Sequence, residues 1–108
     1  MNLETEFVSG TLKLHFDGEL DHHAAKKAVA TIEEYIDTFL PRRCVIDFRG
    51  VTFMDSSGIA VLIKTRKRMG ELDGTLGIEN IRKQPMRVLR AAGVDRIIPI
   101  AASAAKEA

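Results

Sequence analysis

The spacing of apolar residues changes its period along this chain, and that change constrains the fold more than any other feature. Leu12, Leu14 and Phe16 alternate with polar residues, which is typical of a half-buried strand. Further on, apolar residues recur every three or four positions, which indicates an amphipathic helix: Ala25, Ala28, Val29, Ile32, Ile36 and Leu40. A chain that switches repeatedly between these periods is predicted to form a sheet with helices packed on it.

Turn-forming residues divide the chain into further strands and helices. Ser9-Gly10 lies between two strand-like segments, which predicts a hairpin. Asp21 lies near the start of the first helix, and Pro41 lies just beyond its end. A second helical repeat stops at Gly70.

The later segments complete an alternating order of strands and helices. Pro85 fits the first turn of a third helix that ends at Gly93. The order is therefore β-β-α-β-α-β-α-β, which predicts an α/β fold. The tail from residue 101 to 108 is compatible with a final helix whose packing the sequence leaves open. Three short apolar runs supply the later strands: CVIDF (44–48), TLGI (75–78) and RIIPI (96–100).

Length and composition limit the classes of protein to which the chain can belong. With 108 residues, 45% of them hydrophobic, we expect one domain over residues 1–108. No apolar stretch approaches about 20 residues and no export signal is visible, so we expect a cytoplasmic protein without membrane contact. The single cysteine, Cys44, excludes an internal disulfide and is predicted to be a buried, inert thiol.

Charge is distributed unevenly along the chain. Residues 1–40 contain 3 Lys or Arg against 8 Asp or Glu, whereas residues 41–108 contain 13 against 7. This asymmetry is compatible with electrostatic docking to a protein, although solvated helix faces give the same charge runs. The total of +1 and the lack of aromatic residues among the basic ones argue against nucleic acid as a ligand.

The segment FMDSSGIAVL (53–62) places two serines where a strand-like run becomes a helical one. Functional groups gather at such junctions because the first N–H groups of a helix lack partners there. One hydroxyl is enough to cap the helix, so the second is spare. Met54 is predicted to be exposed in the loop, where it contacts a protein partner. A simple helix cap and a surface that a partner recognises are both compatible with these residues.

Enzymatic interpretations of the same segment have less support. A serine hydrolase needs a G-x-S-x-G turn and a later histidine, but His15, His22 and His23 all precede the serines. A receiver-type domain phosphorylated on Asp55 needs an acidic pair after the first strand and a lysine after the last strand, and neither is present. A P-loop is absent as well. We therefore expect no enzyme, no cofactor and no metal site, while nucleotide binding stays open.

Two segments together resemble the STAS domain of anti-sigma factor antagonists, most closely the sporulation type. They are GELDHHAA (18–25) and VIDFRGVTFMDSSGIAVL (45–62), and the weaker segment LRAAGVDRIIPI (89–100) agrees with them. The resemblance extends over residues 3–100 and implies the STAS fold, a mixed four- to five-stranded sheet with helices packed on it. The tail after Ile100 is shorter than the closing helix that the family implies.

The resemblance also implies a mechanism in which the domain itself does not catalyse a reaction. The unphosphorylated antagonist binds an anti-sigma factor serine kinase, which releases the sigma factor; phosphorylation switches the antagonist off, and a serine phosphatase restores it. Carried onto this sequence, the phosphorylated residue is Ser56, while Ser57 and Gly58 start the helix and let a kinase approach the backbone. The implied partner-binding residues are Glu19, Asp21, Met54, Asp55, Ser56, Ser57 and Gly58.

The alternative function is that of a STAS scaffold subunit of a transporter or lipid-trafficking complex.

Predictions also follow for three other polar residues. His22 and His23 point about 100° apart on a helix and lack a third ligand, so we expect surface roles for both. Asp47 lies inside an apolar strand and is predicted to belong to a structural hydrogen-bond network.

Overall fold

The computed structural model describes residues 1–101, which form four strands, three α-helices and one short 3-10 helix. No helix among these residues has the length and hydropathy that crossing a bilayer requires. The elements in chain order are β1 (Asn2–Val8), β2 (Thr11–Leu20), α1 (His22–Phe39), β3 (Arg43–Met54), α2 (Ser57–Glu71), β4 (Thr75–Glu79), α3 (Lys83–Ala91) and the 3-10 helix (Val94–Arg96).

The strands form one mixed sheet in the order β1-β2-β3-β4, so strands adjacent in sequence are also adjacent in space. β1 and β2 are antiparallel, and the turn between them has φ angles of 52° at Ser9 and 82° at Gly10, as a tight hairpin requires. The pairs β2–β3 and β3–β4 are parallel. The predicted mixed sheet is confirmed, and Ile100 adds a single parallel bridge to Ile78 beside β4.

The alternation of apolar residues selects the face of the sheet that the helices cover. Leu12, Leu14 and Phe16 of β2 are buried there, and Ile32 and Ile36 of α1 pack in the same core. Each burial of this kind contributes roughly 1.5–3 kcal/mol relative to an exposed side chain. The opposite face of the sheet has partly exposed polar side chains, among them Lys13, His15, Asp47 and Glu79.

The third strand is longer than its apolar run predicts. It continues past Phe48 and Gly50 to Met54, and two register shifts against β2 interrupt the pairing. Each bulge changes which face of the sheet the following residues occupy. Val51 and Met54 therefore both lie in the core, with no exposed surface.

The last predicted strand is wrong. Within RIIPI (96–100), Arg96 ends the 3-10 helix and only Ile100 forms a bridge. The Pro99 carbonyl accepts a hydrogen bond from the Ile78 N–H at 2.9 Å. Because Pro99 has no N–H to donate, a regular strand ladder cannot continue through it. Ile98 is buried and ties this segment to the core instead. The predicted final helix falls on residues 102–108, outside the part of the chain that the structure describes.

A candidate switch site at the ends of the two central strands

The G-E-L-D and D-S-S-G segments meet at the same edge of the sheet. Leu20 and Met54 are paired residues at the carboxyl ends of the parallel strands β2 and β3. The Asp55 N–H points at the Leu20 carbonyl at 3.4 Å. Asp21 and Asp55 thus begin adjacent loops, each leading directly into a helix, as expected for functional groups in an open parallel sheet.

Asp21 caps the first of these helices. Its carboxylate accepts a hydrogen bond from the Ala24 N–H at 2.9 Å, and this bond lowers the pKa of Asp21 below its usual range. Asp21 and the exposed Glu19 line a polar cavity of about 700 Å³ between the start of α1 and the start of β1. Both predicted partner-binding residues are therefore accessible from solvent.

The side chain that caps the second helix is that of Asp55, although Ser56 occupies the N-cap position. The Asp55 carboxylate accepts a hydrogen bond from the Ser57 N–H at 2.8 Å. Ser56 already has helical backbone angles, with φ −63° and ψ −18°, and its hydroxyl makes no capping bond. The Ser56 side chain is exposed. The simple explanation that Ser56 serves as a helix cap is therefore wrong, and its hydroxyl is accessible for chemistry.

Two of the predicted contact residues are buried instead. Met54 has no exposed surface, so the prediction of a solvent-exposed methionine is wrong. Gly58 is buried directly against it, and a Cβ built at Gly58 would lie 2.6 Å from Met54 Sδ and 3.1 Å from Leu20 Cδ2. Internal packing between α2 and the strand ends thus accounts for glycine at position 58.

Gln84 is a site residue that the sequence analysis missed. Its side-chain amide donates to the Met54 carbonyl at 2.9 Å and accepts from the Met54 N–H at 2.8 Å. β4 pairs with β3 only as far as Asp47, so at Met54 the Gln84 amide replaces a neighbouring strand. This pair fixes the first turn of α3 beside the Ser56 loop. A glutamine at the start of a helix has no distinctive sequence signal.

An apolar groove of about 520 Å³ lies between the start of α2 and helix α3. Ser56, directly before α2, and Ile59 of α2 line it, and Arg87 and Val88 are among the α3 residues that line it. The Ser56 hydroxyl is therefore at the edge of a surface that contains both apolar groups and a guanidinium.

The remaining candidate residues are the two adjacent histidines, Asp47 and Cys44. His22 and His23 are exposed at the start of α1, with ring centroids 5.7 Å apart. Asp47 belongs to a hydrogen-bond network, as predicted, and accepts from Asn80 Nδ2 (2.9 Å) and Arg49 N–H (2.9 Å). Cys44 is buried, and burial raises the pKa of its thiol to about 12. Across residues 1–101, no three His, Cys, Asp or Glu side chains are grouped so as to hold a metal ion.

Comparison with known proteins identifies the family. The STAS domain profile matches residues 2–107, and the chain belongs to the STAS domain family. It is 28% identical over 100 residues to an anti-sigma F factor antagonist of Paenibacillus polymyxa, covering 93% of this chain and 86% of that protein. It is also 28% identical over 106 residues to the anti-sigma-B factor antagonist of Bacillus subtilis (strain 168), covering 94% and 92% of the two chains.

Solved structures show the same architecture. The unphosphorylated form of the anti-sigma factor antagonist SpoIIAA matches with a TM-score of 0.72 and 25% identity over 98% of this chain and 93% of that one. The Bacillus cell fate determinant SpoIIAA in its phosphorylated form matches with a TM-score of 0.70 and 25% identity, covering 97% and 96% of the two chains. The resemblance to anti-sigma factor antagonists is confirmed, whereas the relatives concern sigma F and sigma-B alike and do not single out sporulation.

Proposed function

We propose that this chain is an anti-sigma factor antagonist that phosphorylation on Ser56 switches off. The observation that carries the proposal is that Asp55 supplies the capping hydrogen bond of α2 while the Ser56 hydroxyl makes none. Because Asp55 caps α2, the exposed Ser56 hydroxyl has no structural task at the position where the family resemblance places the modification. A similar structure is of a phosphorylated antagonist, which supports a modification of this kind.

A phosphate on Ser56 changes the charge of the site without requiring a change of fold. It adds about −1.5 to −2 charges at neutral pH. Asp55 lies next to it in the chain, and Asp21 begins the adjacent loop at the same sheet edge. A partner that covers Ser56 must then bury a concentrated negative charge, which costs several kcal/mol when nothing pairs with it. The phosphorylated protein stays folded and releases its partner.

The proposed partners are an anti-sigma factor serine kinase and a serine phosphatase that acts on the phosphorylated form. The chain acts as a single STAS domain over residues 1–108 and does not catalyse a reaction itself. Glu19, Asp21, Asp55, Ser56 and Ser57 form the accessible part of the docking site, while Met54 and Gly58 support it from below. The role implies a cytoplasmic location, because sigma factors act on RNA polymerase.

The proposal is tested by phosphorylation with purified components. The protein is incubated with ATP and each anti-sigma factor kinase encoded in the same genome, and peptide mass spectrometry locates any phosphate. We expect stoichiometric phosphate on Ser56 with one of these kinases and none in Ser56→Ala. Stoichiometric phosphate on another residue would show that the site is wrongly assigned. No phosphate, together with copurification with a membrane complex, would favour the scaffold function.

A further inference from the structure

The groove between α2 and α3 is shaped by small side chains beside larger ones. Ala91 and Ala92, at the end of α3, are exposed and line the groove together with the partly exposed Ile59 and Val88. An exposed surface of this composition has room for bulky apolar side chains from another molecule. Its volume of about 520 Å³ lies within the roughly 300–1,000 Å³ that is usual for binding pockets.

The exposed charge on helix α3 is positive. All charged residues of Lys83–Ala91 are basic, and each of them is exposed: Lys83, Arg87 and Arg90. Of these, Arg87 lines the groove itself. Within residues 1–101 no carboxylate forms an ion pair with Arg87, so its guanidinium is available to an external anion.

The position of this groove is fixed relative to Ser56. Gln84 holds the first turn of α3 to the Met54 backbone, two residues before Ser56. Arg87, Val88 and Ala91 follow Gln84 at three, four and seven positions, so the geometry of a helix puts them on the same face. The groove therefore lies directly beside the loop that contains Ser56.

We propose that this groove binds a segment of the anti-sigma factor that carries a bulky apolar side chain next to a carboxylate. The apolar side chain packs over Ala91 and Ala92 against Val88 and Ile59, and the carboxylate pairs with Arg87. Charge complementarity selects this occupant, because Arg87 is the one charged side chain among the described residues that line the groove. The inference rests on the proposed function and names the surface and the chemistry through which the same partner is recognised.

The shared position of Ser56 and Arg87 links this groove to the phosphorylation switch. Both side chains line the same groove. A phosphate on Ser56 places a dianion close to the guanidinium that the partner's carboxylate needs, and arginine pairs strongly with phosphate. Phosphorylation then weakens docking in two ways, by charge repulsion and by competition for Arg87.

The test measures the Kd of the unphosphorylated protein for each purified anti-sigma factor from the same genome, by titration calorimetry. Ala91→Phe fills the groove from an exposed position, and Arg87→Ala removes its cation. We expect each to weaken binding by at least about tenfold, with melting temperatures close to that of the unmodified protein. The Kd of Arg87→Ala should also depend less on salt concentration than the Kd of the unmodified protein.

Matched controls separate the groove from general surface effects. Ala30→Phe adds the same bulk at an exposed position of α1, and Arg90→Ala removes the same charge from α3 outside the groove. Both should bind within about threefold of the unmodified protein. Equal affinities of all four variants would overturn the proposal that the groove binds the anti-sigma factor, and would leave the proposed function intact. Absence of binding by the unmodified protein to every anti-sigma factor would overturn both.

Discussion

At the scale of single residues, Asp55 and Ser56 have separate tasks although they are neighbours. Asp55 binds the first free N–H group of α2, whereas Ser56 exposes its hydroxyl at the beginning of the same helix. A side-chain cap stabilises a helix by about 1 kcal/mol. Removing the cap should therefore cost stability, and removing the hydroxyl should cost function.

The first prediction compares Ser56→Ala with Asp55→Ala. The free energy of unfolding of Ser56→Ala should lie within about 0.5 kcal/mol of that of the unmodified protein, because no intramolecular cap is lost. Asp55→Ala should lose about 1 kcal/mol, or about 4 °C in Tm. Thermal denaturation followed by circular dichroism measures both. A Ser56→Ala variant as unstable as Asp55→Ala would show that the serine hydroxyl has a structural role after all.

The position of Met54 shows where single-residue prediction fails. The apolar run CVIDF suggests that the strand ends at Phe48, which would leave Met54 in a loop. The strand continues, and its two bulges determine which side chains face the core. A bulge depends on the pairing with β2, so the sequence around Met54 alone contains no signal for it.

At the scale of elements, α2 depends on glycine at one end and merely tolerates it at the other. A Cβ at Gly58 would collide with Met54 and Leu20, which pack between the helix and the strand ends. A Cβ at Gly70 would meet nothing within 4 Å. Helix propensity favours alanine over glycine by up to about 1 kcal/mol at both positions. Packing disfavours alanine only at position 58.

The second prediction is that the same substitution has opposite effects at these two positions. Gly58→Ala should destabilise the protein by about 1–3 kcal/mol through overpacking. Gly70→Ala should stabilise it by about 0.5–1 kcal/mol, because the unfolded chain loses freedom. Urea denaturation gives both free energies of unfolding. A neutral or stabilising Gly58→Ala would show that α2 can shift away from the strand ends without loss of stability.

The open face of the sheet contains a charge cluster centred on His15. Its Nε2 lies 2.8 Å from Glu6 Oε1 and its Nδ1 lies 2.8 Å from Asp47 Oδ2. The hydrogen bond with Glu6, and then the hydrogen bond with Asp47 and its negative charge, raise the pKa of His15 above its ordinary value despite partial burial. Burial raises the pKa of Asp47, but hydrogen bonds from Asn80, Arg49 and His15 outweigh it and leave that pKa below 3.8.

The third prediction concerns the pH dependence that follows from these shifts. The His15 contribution to stability is complete below about pH 6.5, its ordinary pKa, and is lost as pH rises through the higher folded value. The Asp47 contribution is complete above about pH 3.9 and is lost as pH falls through its lower folded value. Stability from this cluster is therefore greatest between these limits.

Denaturant unfolding between about pH 5.5 and 8.5 tests the histidine arm of this prediction. The free energy of unfolding should fall as pH rises in the unmodified protein, and this fall should be smaller in His15→Gln. His22→Gln is the matched control, since it leaves the Glu6–His15–Asp47 cluster intact and should keep the full slope. An unchanged slope in His15→Gln would contradict the assignment.

At the scale of the whole molecule, the sequence predicts the architecture better than its last element. The changes of apolar period and the turn residues predicted the hairpin, the three helices and the strands up to β4, because each depends on local chemistry. The prediction of a strand over RIIPI was wrong because a short apolar run is compatible with either a strand or an irregular segment anchored in the core. Pro99 limits this segment to a single bridge. Which residues meet in space, such as Gln84 and Met54, depends on the assembled fold.

The site follows the same rule. The D-S-S-G junction was predicted to matter from local chemistry and the G-E-L-D loop from the family resemblance, and the parallel pairing of β2 and β3 brings both to one edge of the sheet. The groove next to Ser56 had no sequence signal, because its lining combines two helices that are distant in the chain. The molecule thus exposes Ser56 on a surface formed by three separate segments.

The measurement that tests the central claim most directly is the affinity for one anti-sigma factor before and after phosphorylation. The same preparation is titrated unmodified and with phosphate confirmed on Ser56 by mass spectrometry. We predict that phosphorylation raises Kd by at least about 100-fold, equivalent to about 2.7 kcal/mol, with a melting temperature close to that of the unmodified protein. Equal affinities of the two forms would contradict the account, because Ser56 would then lie outside the surface that controls docking.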